Sequence, residues 1–309
     1  MAEDLPSGAP CAPASAADPA ALAAAQHYPA GALYVVATPI GNRADITLRA
    51  LHVLALADAV ACEDTRHTAQ LLRGYGLQRP LLALHEHNEV AAARGVVERL
   101  RAGQRVAYVS DAGTPGISDP GARLCAAVRA AGLRCVPVPG ASSVTALLSV
   151  AGVSAEAVTF VGFLPPKGRA RAEAWRHWAA LPTGLVLLEA PHRIELLAAE
   201  LGALGPRTLT VGRELTKQFE EIVTLPCAGL AAWLAAEPQR RRGEFTLLVH
   251  PPDTSAPHDG GALTPEARRV LALLLQELPP ARAARLAAAI TGAPRDALYA
   301  AATAEPSTR

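Results

Sequence analysis

Between Gly31 and Val138 short apolar runs alternate with helix-length amphipathic segments, and this alternation restricts the fold more than any other feature of the chain. The runs predict strands at residues 33–37, 59–62, 81–84, 105–109 and 134–138. The segments between them predict helices at 47–57, 65–74, 89–102 and 120–131. Strands that alternate with helices form βαβ units, which require a mostly parallel sheet with right-handed crossovers.

A helix-like stretch at 142–150 and the turn signal Ala151-Gly152 lead into a second series. Its strands are expected at 158–163, 184–188, 208–212, 221–225 and 245–250, and its helices at 171–180, 192–203 and 228–236. The runs at 208–212 and 221–225 follow each other without a helix, so this sheet is expected to be mixed. The expected organisation is a tail over 1–29, α/β domains over 30–150 and 151–252, a linker over 253–262 and a helical module over 263–304. Pro265 and Pro280 suit first-turn positions in that module, whose three short helices resemble a helix-turn-helix. The tail is Ala/Pro/Ser-rich and carries no Lys or Arg, so it lacks the positive start of a secretory signal. It is expected to be disordered, with a short, untethered helix near 20–25.

Composition bounds the function classes. Net charge is +1, so any nucleic-acid contact must come from local patches. Arg268, Arg269, Arg282, Arg285 and Arg295 form one such patch in the module. Aromatic residues make up only 4%, which leaves no extended stacking platform. Cys11, Cys62, Cys125, Cys135 and Cys227 include no CxxC pair. Their scatter speaks against a zinc knuckle or a disulfide framework and fits a reducing compartment. No apolar run is long enough to span a bilayer. Lysine is nearly absent: only Lys167 and Lys217 remain in an arginine-biased chain.

Common nucleotide motifs are missing. No GxGxxG follows the first strand, and there is no GxxxxGK[ST]. His85 and His87 lack a third ligand at diagnostic spacing, so they read as loop polar groups and no metal is expected. The first strand instead runs into Thr38-Pro39-Ile40-Gly41-Asn42. The fourth ends in Ser110-Asp111-Ala112-Gly113-Thr114-Pro115-Gly116-Ile117-Ser118-Asp119-Pro120-Gly121. The fifth ends in Pro139-Gly140-Ala141-Ser142-Ser143. Long irregular loops in a compact domain are usually functional. The second of these offers amides, carbonyls, hydroxyls and carboxylates but no basic residue. It suits a neutral or cationic ligand, such as one with an amino group and a sulfonium, better than a phosphate.

These three turns resemble the S-adenosylmethionine site of the tetrapyrrole methylase fold. More narrowly, the first turn, Glu63-Asp64-Thr65-Arg66-His67-Thr68, Ser110 to Pro115 and Arg213-Glu214-Leu215-Thr216-Lys217 are similar to the ribosomal RNA small subunit methyltransferase I family. The resemblance runs in order from about Gly31 to the C-terminus. It implies two tandem α/β domains of the class III methyltransferase type plus a small helical module. It implies transfer of a methyl group from S-adenosylmethionine to a cytidine ribose 2′-hydroxyl, at position 1402 of 16S rRNA in standard numbering. It further implies a cytoplasmic homodimer acting on 16S rRNA, within the small ribosomal subunit, with no membrane and no metal. Carried over, the cofactor contacts are Pro39, Gly41, Ser110, Asp111, Ala112, Gly113, Thr114, Pro115, Ile117, Ser142 and Ser143. From the second half come Phe163, Glu189, Ala190, Arg213, Glu214, Gly243, Glu244 and Phe245.

A sulfonium methyl is a strong electrophile, so the protein must align it and exclude water. A 2′-hydroxyl is a poor nucleophile, so a base or a local positive charge should help. Glu63, Asp64, Arg66, Glu214 and Lys217 are the candidates, with Arg66 suited to a backbone phosphate. Glu63 and Asp64 equally suit the first turn of a helix. Two other readings remain open on sequence: a corrinoid or porphyrin methyltransferase of the same fold, and a non-catalytic RNA-binding assembly factor.

Overall fold

A computed structural model describes residues 19–85, 89–118, 121–153, 157–252, 263 and 265–304. The chain divides into two compact units, Met1–Pro252 and Asp253–Arg309.

The first unit begins with α1 (Pro19–Ala24) and β1 (Ala32–Val36). It continues through α2 (Leu48–Leu56), β2 (Ala59–Cys62), α3 (Thr65–Gly74), β3 (Leu81–Ala83), α4 (Glu89–Arg101), β4 (Val106–Val109), α5 (Ala122–Ala130), β5 (Arg134–Val138) and α6 (Ser143–Val150). The five strands form a parallel sheet in the order β3-β2-β4-β1-β5. Both faces are covered, which is why the central strands read as near-continuous apolar runs. Tyr34 and Val36 pack into one layer with Val53, Leu54 and Leu72. Leu33 and Tyr108 pack into the other with Val96, Leu100, Leu124 and Val128. Alternate residues of one strand thus serve opposite layers, and each fully buried Leu or Val contributes about 1.5–3 kcal/mol.

The same unit contains β6 (Val158–Gly162), α7 (Gly168–Ala179), β7 (Gly184–Glu189), α8 (Ile194–Gly202), β8 (Thr208–Arg213), β9 (Glu221–Pro226), α9 (Leu230–Ala236) and β10 (Phe245–Val249). The sheet order is β6-β7-β10-β8-β9. Only the β6–β7 pair is parallel, so the sheet is mixed. The two sheets are joined by α6. Its Leu147 is buried against Val186 of β7, Leu248 of β10 and Leu215. A Cβ on Gly212 would stand 2.9 Å from Leu147 Cδ1, so the close approach of α6 to β8 depends on glycine there.

The end of the expected tail is corrected. Residues 19–29 are docked, not free. Ala23 and Tyr28 are buried. The Tyr28 hydroxyl donates to the Ala23 carbonyl at 2.7 Å, and Arg105 Nε donates to the Tyr28 carbonyl at 3.1 Å. Tyr28 also packs on His52 and Tyr34. One aromatic residue thus ties an alanine-rich helix to the sheet. Residues 1–18 lie outside the described residues, as do His87 and the whole of the expected linker.

The second unit contains α10 (Pro265–Leu275), α11 (Pro280–Thr291) and α12 (Arg295–Ala304). Its core is built from alanine and leucine, including Leu263, Ala267, Leu271, Ala284, Ala287 and Leu298. Pro280 opens α11, and Gly292 closes it in the left-handed region at φ 71°. Arg268, Arg269, Arg282, Arg285 and Arg295 are all exposed. Among the described residues no helix is long and apolar enough to cross a membrane.

Candidate active site

The three turns found in the sequence meet at the carboxyl end of the parallel sheet. Thr38 and Gly113 form a two-way bridge, with Thr38 N donating to Gly113 O at 2.9 Å and Gly113 N to Thr38 O at 3.1 Å. The Thr38 hydroxyl donates to Ser110 O, and the Ser110 hydroxyl lies 3.3 Å from the carbonyls of Ala112 and Gly113. The Thr114 hydroxyl donates to Ala141 O at 3.1 Å, tying in the third turn. Gly113 has φ 79°, a conformation most side chains avoid. Ser110 and Pro115 are buried and are not among the residues that line the cleft.

These turns wall a cleft of about 340 Å³, within the roughly 300–1,000 Å³ of small-molecule sites. The parallel-sheet half contributes Ala112, Gly113, Thr114, Ile117, Ser142 and Ser143. The mixed-sheet half contributes Phe163, Glu189, Ala190, Glu244 and Phe245. All eleven were expected from the sequence. The sequence reasoning missed Ile40, Ser118, Val144, Leu188, Pro191, Leu215 and Thr246, which also line the cleft. They are apolar or small residues without a chemical signature. The charged residues of the lining, Glu189 and Glu244, are both acidic.

The Glu189 side chain is committed elsewhere, although its residue borders the cleft. It is 2% exposed. It accepts from Ala190 N at 3.0 Å and pairs with Arg171 at 3.3 Å and Arg193 at 2.9 Å. Arg171 in turn pairs with Glu200 at 2.7 Å. This buried charge network holds the end of β7 against the start of α7 and α8.

A second pocket, of about 280 Å³, adjoins the first and shares Ile40, Ala112 and Glu244 with it. Pro39, Gly41, Asp111 and Lys217 line this pocket, not the first, together with Arg43, His67, Gln70 and Leu71. One carboxylate oxygen of Asp111, Oδ1, is buried without a hydrogen-bond partner. Lys217 lies on the connection between β8 and β9. Its Nζ donates to Glu214 Oε1 at 2.9 Å and to Glu244 Oε2 at 3.0 Å. Burial alone would lower its pKa, but the two carboxylates outweigh that, and the ammonium is held above its ordinary value. Burial would likewise raise the pKa of Glu214. Hydrogen bonds from Lys217 and from Glu244 N, with the charges of Lys217 and Arg213, hold it below the usual carboxylate range. Glu214 and Thr216 both have positive φ, 51° and 66°. Non-glycine residues in that region carry strain and collect at functional sites. The Thr216 hydroxyl receives Asn42 N at 3.0 Å, which fixes this connection against the turn after β1.

Several expected site residues serve structure instead. Asp64 caps α3, with its Oδ1 accepting from Arg66 N at 2.7 Å and His67 N at 3.2 Å. Hydrogen bonds from His67 N and Arg66 N hold its carboxylate below the usual range. Glu63, Asp64 and Arg66 line neither pocket, whereas His67 and Gln70 of the same helix do. The Arg213 guanidinium donates to the carbonyls of Arg242, Gln239 and Phe219. With Glu214 and Gly243 it borders a separate depression beside β9 rather than the cleft. Glu214 packs over Gly243, where a Cβ would stand 2.4 Å from Glu214 Cγ.

The model for tetrapyrrole (corrin/porphyrin) methylases matches residues 32–231, and that for the RsmI C-terminal HTH domain matches 261–305. The ribosomal RNA small subunit methyltransferase I of Xylella fastidiosa is 48% identical over 87% of this chain and 98% of its own length. That of Neisseria meningitidis is 47% identical over 87% of this chain and 92% of its own. The chain belongs to the ribosomal RNA small subunit methyltransferase I family. As a member of this family it is an S-adenosylmethionine-dependent methyltransferase. Solved structures share the fold. A cobalt precorrin-4 methyltransferase superposes with a TM-score of 0.53 at 20% identity, over 71% of this chain and 94% of its own. A diphthine synthase does so with 0.55 at 15% identity, over 71% of this chain and 90% of its own.

The residues fit the family's cofactor. Among the described residues no basic one lines the cleft, and with Glu189 neutralised by Arg171 and Arg193 its one exposed charge is the Glu244 carboxylate, a lining that suits a ligand bearing a sulfonium and an ammonium. The unpartnered oxygen belongs to Asp111, which lines the second pocket and precedes Ala112, a residue that lines both. Apolar walls from Ile40, Val144, Phe163 and Leu188 suit a purine ring. The helix that Asp64 caps presents His67 and Gln70 to the second pocket.

Proposed function

We propose that the chain methylates a cytidine ribose 2′-hydroxyl in 16S rRNA, at position 1402 in standard numbering, within the small ribosomal subunit. The observation that carries this reading is the pairing of two unlike pockets. The first is largely apolar, with Glu244 as its one exposed charged residue. The second adjoins it at Ile40, Ala112 and Glu244 and carries Arg43, His67 and Lys217. A cationic cofactor suits the first and a phosphodiester-linked nucleotide suits the second. A macrocycle would call for one closed apolar pocket, and a pure assembly factor would have no use for the first. The relatives' name, ribosomal RNA small subunit methyltransferase I, supports the same substrate. The active species is a cytoplasmic homodimer.

When bound, S-adenosylmethionine supplies an electrophilic methyl group. Ala112, Gly113, Thr114, Ser142 and Ser143 hold the cofactor from the parallel sheet, and Phe163, Ala190 and Phe245 from the mixed sheet. Phe163, Leu188 and Leu215 keep water from the reacting atoms. Lys217, held cationic by its two carboxylates, binds the phosphate beside the target ribose. Asp64 is spent on its helix cap, and Glu214 Oε1 accepts from both Lys217 Nζ and Glu244 N, whereas Glu244 gives only its Oε2 to Lys217. The Glu244 carboxylate, at the junction of the pockets and with its side chain 73% exposed, accepts the hydroxyl proton.

The test is methyl incorporation from labelled cofactor into small subunits that lack the modification, with the product nucleotide mapped by mass spectrometry. A ribose-methylated cytidine at that position is expected. A methyl group on a base, or none at all, overturns the reading.

A further inference from the structure

We infer that Glu89 is a positioning residue that anchors the far end of the cofactor loop. The loop that begins at Ser110 contributes Ala112, Gly113, Thr114, Ile117 and Ser118 to the cleft. Its near end is locked by the Thr38–Gly113 bridge. Its far end enters α5 at Gly121, an N-cap residue without a side chain to cap the helix. A helix start leaves backbone N–H groups without intrahelical partners. Glu89, the first residue of α4, meets that need from more than thirty positions away. Its Oε1 accepts from Gly121 N at 3.1 Å and from Arg123 N at 3.1 Å.

Three observations mark this as a built contact. Glu89 is 6% exposed, which is unusual for a glutamate that ends a surface helix. Gly121 has φ 124°, and a Cβ there would stand 2.3 Å from Tyr108 Cε1, so the chain enters α5 in a conformation and a space reserved for glycine. The charge partner of Glu89 is peripheral. Arg123 Nε is 3.9 Å from Glu89 Oε2 and that side chain is 69% exposed, so the backbone amides are the contact that matters. Tyr108 belongs to β4, the strand from which the loop departs. The loop is therefore closed on itself, with its start on β4 and its end held against β4 through Gly121 and against α4 through Glu89. A loop held at one end only would let its cleft-facing amides move, and small misplacements at a reactive site are costly.

The inference rests on the reading that this loop borders the cofactor, and the experiment separates the two. Cofactor affinity is measured by calorimetry, RNA affinity by filter binding and folding by thermal denaturation, for wild-type, Glu89→Ala, Glu89→Gln and Arg123→Ala. Glu89→Ala is expected to weaken cofactor binding about tenfold or more, with RNA affinity unchanged. Glu89→Gln keeps an acceptor oxygen and should recover most of the loss, and Arg123→Ala should bind normally. Hydrogen exchange supplies a second reading that tolerates a poorly stable variant: the Gly121 and Arg123 amides of Glu89→Gln should exchange faster than wild-type but slower than unprotected amides, while β1 and β4 stay protected. A folded Glu89→Ala with wild-type cofactor affinity overturns the anchoring role. So do equal losses in the Ala and Gln variants. Failure of the wild-type chain to bind the cofactor would instead overturn the placement of the cleft.

Discussion

Gly41 lies directly beneath Lys217: a Cβ on Gly41 would stand 2.4 Å from Lys217 Cγ and 3.2 Å from the Leu215 carbonyl. The bare backbone of the turn after β1 therefore packs against the side chains of Lys217 and Thr216 on the connection from β8 to β9, and the second pocket opens where they meet. Gly41→Ala must displace those two side chains and crowd the Leu215 carbonyl. Turnover on small subunits should fall about tenfold or more, while Tm drops by only a few degrees. A Gly41→Ala enzyme at wild-type rate would show that the contact is incidental.

The Lys217–Glu214 pair has a definite pH signature. Glu214 sits below the usual carboxylate range, so its contribution to stability is present above its unfolded pKa and is lost as pH falls through the folded value. Lys217 sits above its ordinary value, so its contribution is complete below the unfolded lysine pKa and is lost as pH rises through the folded one. Around neutrality the pair is fully charged. Lys217→Arg should therefore retain most activity and an unchanged pH profile from neutral to mildly alkaline solution, with Lys217→Ala losing RNA affinity. A loss of about a hundredfold in Lys217→Arg with RNA binding intact would restore the lysine as a base. Glu244→Gln is expected to show that loss instead, with cofactor binding close to normal.

The alternating apolar runs made the strands legible because a parallel sheet buried on both faces needs them. Residues 59–62 and 134–138 match β2 and β5 to the residue. The small-residue turns were legible because only such residues let backbone line a cleft. Arg43, His67 and Gln70 were not, because nothing local marks which face of α3 and which side of the first turn a second pocket will use. Arg213 was placed at the cleft for a related reason. A buried charge satisfied by carbonyls reads, in sequence, like one waiting for a ligand. Glu89 shows the converse: its role is visible only when α5, more than thirty positions away, is placed beside it.

The buried network around Arg171 should be a strong structural determinant. Arg171 is 2% exposed and pairs with both Glu189 and Glu200. Orphaning a buried charge outright typically costs about 3–5 kcal/mol. Glu189→Ala takes the carboxylate from Arg171 and Arg193 but leaves Arg171 paired with Glu200, so its loss in urea denaturation is expected to fall at or below the lower end of that range. It should also weaken cofactor binding, since Ala190 N would lose its acceptor beside the cleft. A loss under about 1 kcal/mol would mean that the network relaxes or admits water.

Gly113→Val tests the cleft itself. Gly113 has φ 79°, and a Cβ there would lie 3.2 Å from Ile40 Cγ2. A β-branched residue is strained in that region and would carry its methyl groups into the cleft wall. Cofactor binding by calorimetry should fall below detection while the far-UV spectrum is kept. Normal affinity in a folded Gly113→Val protein would place the cofactor elsewhere.

The helical module should contribute RNA affinity without chemistry. Arg268, Arg269, Arg282 and Arg285 are exposed on α10 and α11, whose buried faces are formed by residues such as Ala267, Ala283 and Ala287. Changing all four to Ala removes charge without touching that core, so folding should persist. For every phosphate no longer neutralised by an arginine, the dependence of log affinity on log salt should flatten by about 0.7 to 0.9. Cofactor affinity should be unchanged, because the residues that line the cleft all belong to the first unit. Turnover at saturating RNA should also be close to wild-type, with the deficit confined to KM. An unchanged salt slope in the fourfold variant would show that these arginines are a solvated face and that RNA is held by the first unit alone.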